Sequence, residues 1–284
     1  MRRGVTDPAF QSDPDGTLWR AACTPEGPTT VRIQSRPVLR TVELEAWGSG
    51  ASWMLEHAPA MLGAADSSAD SFVPADPRVR ALWLRHPHWR VPRTGLVFEA
   101  LLGAVIEQKV TGQEAWLGWK RLLTRFGPPA PGPGAERRMR CPPSAEALTR
   151  IPSWEWLRCH IDGARSQTIV HAARMAPALE RTLVLAADKV ETRLTSLPGV
   201  GVWTAAEIRQ RAHGDCDAVS FGDYHVANHI GWALTGNEMS DSQLEELLAP
   251  YRPHRYRVQY LVTSYLRARP RRGPRMAPRR HLPR

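Results

Sequence analysis

The sequence predicts an α+β protein in which a small antiparallel sheet comes first and a long, predominantly helical part follows. Three observations predict it. Residues 15–50 alternate apolar and polar positions between turn residues, as short half-buried strands do. From residue 95 onward the chain falls into segments of helical length divided by Gly, Pro or Asp. Finally, 284 residues, 42% of them hydrophobic, suffice for about two domains that each bury a core.

In the first part, "TLWRAACT" and "TVRIQ" flank a "PEGP" turn, and "TVELEAWG" closes on "GSG". "ASWMLEHAPAML" has helical spacing, and "SSADSFVPAD" is a polar connector. In "DPRVRALWLRHP", Asp76 suits the N-cap of a helix and Pro77 its first position. These bounds predict an N-terminal sheet domain over 1–75 and a helical domain over 76–266.

The helical domain opens with "GLVFEALLGAVIEQKVTGQEAWLGWKRLLTRFG", which places Leu96, Leu101, Val105 and Ile106 near one face and Gly127 beyond the end. "GPPAPGPGAERRMRCPP" is a Pro/Gly loop that no helix crosses. Beyond it come "SAEALTRI", "SWEWLRCHI", "ARSQTIVHAARMAPAL", "VETRLTSL", "WTAAEIRQRAH", "YHVANHIGWAL", "DSQLEELLAPY" and "HRYRVQYLVTSYLRAR", each near helical length. No internal repeat is evident.

Lys and Arg number 38 against 28 for Asp and Glu, a net charge of +10 that suggests a polyanionic partner. Eight of those arginines stand in "RARPRRGPRMAPRRHLPR", which has no acid, so the remainder carries only about +2. Residues 267–284 are therefore predicted as a basic, disordered tail, too poor in apolar residues to fold alone. The four cysteines, Cys23, Cys141, Cys159 and Cys216, are scattered without a CxxC pair, which excludes the ligand spacing of a zinc or iron–sulfur site. No apolar run approaches the ~18 residues of a membrane span, and "MRRGVTDPAF" lacks the apolar core of a secretory signal. A cytoplasmic protein is expected.

Chemistry concentrates in "SLPGVGVWTAAEI", residues 196–208. Gly199 and Gly201 after Pro198 let a helix ending at Leu197 reverse sharply, and the next helix opens at once with Trp203 and Thr204. Orphan N–H groups and the helix dipole favour an anion there, and a phosphate held this way is held without regard to base sequence. An αα-hairpin without a ligand has the same outline.

"LPGVGVWTA" resembles the signature of the helix-hairpin-helix (HhH-GPD) superfamily of base-excision DNA glycosylases. Two further segments share the resemblance: "FEALLGAVIEQKVTG" (98–112) looks like the family's early helix, and "RPHRYRVQYLV" (252–262) like its closing helix. In that family an aspartate follows the hairpin at a set distance, and Asp223 stands 20 residues beyond Trp203. The likeness covers roughly residues 75–268 and, with the sheet included, is greatest to the inducible 3-methyladenine subgroup.

The resemblance implies an α+β fold with a helix-hairpin-helix glycosylase domain and a monomeric enzyme of base excision repair that acts on double-stranded DNA. Asp223 is implied as the catalytic carboxylate, beside the positive charge that builds on the deoxyribose as the glycosidic bond breaks. It also suits the N-cap of "YHVANHIGWAL". Members that also cut the strand carry a lysine where Trp203 stands, because an amine forms the Schiff base. Trp203 therefore implies a monofunctional enzyme without AP-lyase activity, its indole facing the flipped base unless it is a core residue.

Tyr224 matches an aromatic of the subgroup's base pocket. Glu207 departs from it, replacing an aromatic with a carboxylate that can pair with a cationic alkylated base or face solvent. Pro198, Gly199, Val200, Gly201 and Thr204 are the implied DNA-backbone contacts, with Gln108 and Lys109 from the early helix. Lys109 departs from the usual Leu or Gln of the wedge that fills the gap left by a flipped nucleotide. No side-chain metal site is expected. The family often holds a monovalent cation on backbone carbonyls, here those of Thr195, Leu197 and Val200. His225 and His229 have chelating spacing, but Val226 stands where a metalloprotease motif needs Glu. Other readings are a non-catalytic DNA-binding protein and a glycosylase of the same superfamily for a deaminated or oxidised base. A nucleoid-associated place in the cytoplasm follows from the expected DNA partner.

Overall fold

The computed structural model describes residues 2–268, and the predicted basic tail from residue 269 onward lies outside them. The N-terminal strands are β1 (Phe10–Ser12), β2 (Leu18–Thr24), β3 (Gly27–Arg36) and β4 (Thr41–Trp47), paired antiparallel in the order β1-β2-β3-β4. Register is set by the turn residues: Thr24 pairs with Gly27 across Pro25-Glu26, and Arg36 pairs with Thr41.

The helices are α1 (Ala51–Met61), α2 (Pro77–Arg85), α3 (Val97–Glu107), α4 (Gly112–Phe126), α5 (Pro133–Glu136), α6 (Ala145–Thr149) and α7 (Ser153–Arg158). They continue with α8 (Gly163–Arg174), α9 (Ala176–Glu180), α10 (Ala187–Thr195), α11 (Val202–Ile208), α12 (Val226–Thr235), α13 (Asp241–Leu248) and α14 (Arg255–Tyr265). An antiparallel sheet followed by helices is the α+β order that the sequence predicts.

Two compact units share these elements, each made of two stretches of chain. One comprises residues through Ala58 with Phe98–Arg181, the other Pro59–Val97 with the chain from Thr182. In the first, Trp19 stacks on Trp47 with ring centroids 5.9 Å apart, and its Nε1 donates to Asp13 at 2.8 Å. Arg137 lies over the Trp19 ring and grips both Asp13 oxygens at 2.8 Å, holding that carboxyl below its usual range. Asp7 accepts the Nε1–H of buried Trp119, tying the N-terminal segment to α4.

The second unit is built around Val79 and Leu82 of α2, Ile230 and Leu234 of α12, Leu244 and Leu248 of α13, and Val258, Leu261 and Val262 of α14. Asp76 caps α2 as predicted, accepting the N–H of Arg78 at 2.8 Å. A polar pair lies deep beside this core. Arg257, fully buried, donates to both oxygens of Asp66 at 2.9 and 2.8 Å and lies 5.4–5.7 Å from the rings of Phe72, Trp83 and Trp89.

Three local departures from the sequence reading have physical causes. The helical spacing between Gly95 and Gly127 is broken after Glu107: Lys109 takes φ +53°, and Thr111 opens α4 with a capping box closed by Glu114. The Pro/Gly loop after Gly127 admits one turn of helix, α5, because Gly132 at φ +55° places Pro133 in the first helical position. After Ile208, residues Arg209–His213 widen into a π-turn, and Gly214 in the left-handed region ends it.

Candidate active site

The hairpin is built from the helix ends inward. Leu194, the last buried residue of α10, and Val200 anchor it, while Pro198, Gly199, Gly201 and Val202 are exposed. Val200 donates its N–H to Leu197 O at 3.0 Å across a turn in which Gly199 has φ +83°. Only that glycine needs its freedom. Gly201, expected to share the role, has φ −93° and open space where a Cβ would stand, so it serves as the N-cap of α11. The first helical bond runs from Ala205 N to Gly201 O, leaving the preceding N–H groups outside the helical ladder. Thr204, expected at the DNA backbone, is buried.

Trp203 and Asp223, 20 residues apart in sequence, meet in space. The indole Nε1–H donates to Asp223 Oδ2 at 3.0 Å, while Oδ1 accepts the N–H of His225 at 2.8 Å and of Val226 at 3.1 Å. The N-cap of α12 is His225 rather than Asp223; Asp223 accepts the N–H groups of His225 and Val226 that lead into the helix, and three donors fix its carboxylate.

The loop that carries it, Gly214–Asp223, is pinned at short intervals. Arg209 donates to Asp215 at 2.7 and 3.0 Å, and Arg255 to both oxygens of Asp217 at 2.9 and 2.7 Å. Cys216 O accepts the N–H of Tyr256 at 2.9 Å. Ser220 Oγ donates to Glu207 at 2.7 Å and accepts from Gln210 at 2.8 Å and Gln259 at 2.9 Å. Gly222 N donates to Asp241 at 2.8 Å. At the loop's foot, burial pushes the His213 imidazole down to about 4, and its Nε2 lies 3.0 Å from Thr182 Oγ1.

Glu207 does not face solvent: it is 8% exposed, and Arg211 donates to its second oxygen at 2.6 Å. Tyr224 is the opposite, 87% exposed with its ring edge-on to His225. Gln108 and the exposed Lys109 occupy the turn between α3 and α4 in the first unit. His229 Nε2 lies 3.0 Å from Leu266 O. Ser220, Gln210 and Gln259 were not predicted. A signal existed for Gln259, a polar residue within the apolar run of α14; none marks Ser220 in its loop.

This fold is shared with solved DNA glycosylases. The "Probable bifunctional transcriptional activator/DNA repair enzyme AlkA" of Mycobacterium tuberculosis is 31% identical over 199 residues, 67% of this chain and 38% of that protein. The chain thus spans less than half the length of the curated relatives it matches. Among solved structures, the 3-methyladenine DNA glycosylase of Archaeoglobus fulgidus superposes with a TM-score of 0.74 at 20% identity, covering 92% of each chain. The Clostridium acetobutylicum 8-oxoguanine glycosylase/lyase, solved with duplex DNA containing cytosine opposite 8-oxoguanine, gives 0.71 at 14% identity over 90% of this chain and 86% of its own. No protein-family model matches the chain. By sequence the likeness is to a DNA repair enzyme, and by fold it extends to a 3-methyladenine DNA glycosylase. No described helix is long and apolar enough to cross a membrane.

Proposed function

We propose that the protein is a monofunctional DNA glycosylase that flips a damaged, alkylated base out of duplex DNA and releases it by hydrolysis. The observation that carries the reading is the Trp203–Asp223 pair: a carboxylate held at 3.0 Å by an indole N–H at the start of the second hairpin helix. The glycosidic bond breaks with its electron pair leaving on the base, and the deoxyribose gains oxocarbenium character. Asp223 offsets that charge, orients the attacking water at C1′ and accepts its proton. An N-alkylated purine is already cationic and leaves without prior protonation, so one carboxylate suffices. Trp203 has no amine for a Schiff base, and the strand is left uncut.

The exposed tip of the hairpin, with the N–H groups of 201–203 at the start of α11, holds a backbone phosphate, and Lys109 fills the gap in the stack with its aliphatic stem. Backbone carbonyls of Thr195, Leu197 and Val200 are oxygen donors suited to an alkali ion, which would add positive charge beside that phosphate. The reading thus makes duplex DNA the partner. A second reading, a glycosylase of this class for a deaminated or oxidised base, is favoured by Glu207: its pair with the part-exposed Arg211 replaces the aromatic expected of the 3-methyladenine pocket.

The test is base release from an alkylated duplex, with and without alkali, for wild type and Asp223→Asn. Strand breaks that need alkali, and that vanish in a variant still binding duplex, support the reading. Release from deaminated or oxidised duplexes alone would favour the second. Binding without release from any lesion would sink both.

A further inference from the structure

Glu207 stands where the resemblance leads one to expect an aromatic, and its surroundings say what a carboxylate does there. Ser220, Gln210 and Gln259 converge with it in a fully buried cluster, at 1%, 3% and 7% exposure. The direction of every proton in the cluster is determined. Ser220 N–H can only donate, and it donates to Gln259 Oε1 at 2.9 Å, so the amide NH2 of Gln259 must face Ser220 Oγ. Ala218 O can only accept, and it takes a hydrogen from Gln210 Nε2 at 2.8 Å, so that group too is an NH2 and donates to the same Oγ at 2.8 Å.

With both lone pairs of Ser220 Oγ taken, its own hydrogen has one destination, Glu207 Oε1 at 2.7 Å. The position therefore requires an acceptor, and Arg211 donates to the other oxygen at 2.6 Å. An aromatic there would orphan the hydroxyl.

The cluster continues to the carboxylate. Ser220 O accepts the N–H of Asp223 at 3.2 Å, and Asp223 accepts the indole of Trp203, one turn of α11 before Glu207. Two side chains of one helix, four residues apart, thus hold two points of the loop three residues apart. We infer that Glu207 and Ser220 are positioning residues that set the height of the Asp223 loop against α11, so that the carboxylate meets the Trp203 N–H; as a statement about catalysis this rests on the glycosylase reading above.

The experiment follows the indole N–H resonance of Trp203 in 15N-tryptophan-labelled full chain, assigned by its loss in Trp203→Phe, beside single-turnover base release and duplex affinity. In Ser220→Ala and Glu207→Ala the resonance moves and release slows at least tenfold, while duplex Kd stays within twofold. Glu207→Gln keeps an acceptor oxygen, so it keeps the resonance and recovers most of the rate. Should the alanine variants fail to fold, the equal-sized pair Ser220→Thr and Ser220→Val decides: Thr leaves the resonance in place and Val moves it. An unmoved resonance in folded Ser220→Ala or Ser220→Val overturns the inference, as does equal loss in Glu207→Gln and Glu207→Ala. A wild type that releases no base from any lesion counts against the proposed function, and the resonance alone then decides on the clamp.

Discussion

The hairpin of residues 196–201 and the loop of residues 214–223 are both turns between helices, yet they are held by opposite means. Backbone hydrogen bonds and two buried side chains, Leu194 and Val200, hold the hairpin, and its tip stands open. Side chains hold the loop, with Asp215, Asp217, Ser220 and Asp223 each bonded to a partner on a neighbouring helix. A grip on a repeating polyanion needs backbone donors in an open place. Charge stabilisation in a transition state needs a carboxylate that does not reorganise. On the proposed function, each turn has the support that its task requires.

The largest expected effect separates them outright. Asp223→Asn keeps a side-chain oxygen for the N–H groups of His225 and Val226 but loses the charge, and release falls on the order of 10²–10³-fold while duplex binding holds. Equal losses of binding and rate would join the two turns into one site and break the contrast.

Acid should loosen the loop before the hairpin. His213, at the loop's foot, has its imidazole pushed down to about 4 by burial, against the usual ~6.5 unfolded. Between those values the unfolded chain binds the extra proton and the folded one does not, so stability is full above pH ~6.5 and declines toward pH ~4. Partial exposure limits the loss to about 1–2 kcal/mol. Hydrogen exchange across that window should show protection lost first at 214–223, and His213→Asn should flatten the thermal-stability slope. The acidic aspartates 13, 66 and 76 have their carboxyls lowered and act only below this window.

Trp203→Phe sharpens the contrast within the loop's own anchors. It removes one of the three donors to Asp223, a charged hydrogen bond of about 1.5–3 kcal/mol, so release slows roughly 10- to 150-fold with duplex affinity unchanged. The smallest effects distinguish the hairpin glycines. Gly199→Ala strains a left-handed residue by about 1 kcal/mol, whereas Gly201→Ala, with φ −93° and open space, changes the melting free energy by less than ~0.5 kcal/mol. Similar losses in the two would mean that the tip needs both freedoms.

What the sequence made legible was local or counted. Asp76 as a cap, the strand alternation and the distance from hairpin to Asp223 all depend on neighbours in the chain. The break after Glu107 was also written there, in Thr111 and Glu114, but helical spacing on both sides of it hid the cap. Gly201 was misjudged because two glycines look alike until their dihedrals are known. The Ser220 cluster was beyond reach: its members come from α11, the π-turn, the loop and α14, and a buried hydroxyl gains meaning only from the three groups around it.

The turn at Lys109 has a consequence for what substitutions the protein can accept there. At φ +53° a glycine would relieve about 1 kcal/mol and a β-branched residue would add strain, so backbone comfort and side-chain reach pull in different directions at one codon. Because the capping box of α4 fixes the turn independently of residue 109, unbranched side chains of different length and charge can be exchanged on an unchanged mount. The position is a socket, in which a drifting sequence can trial new tips without refolding their base.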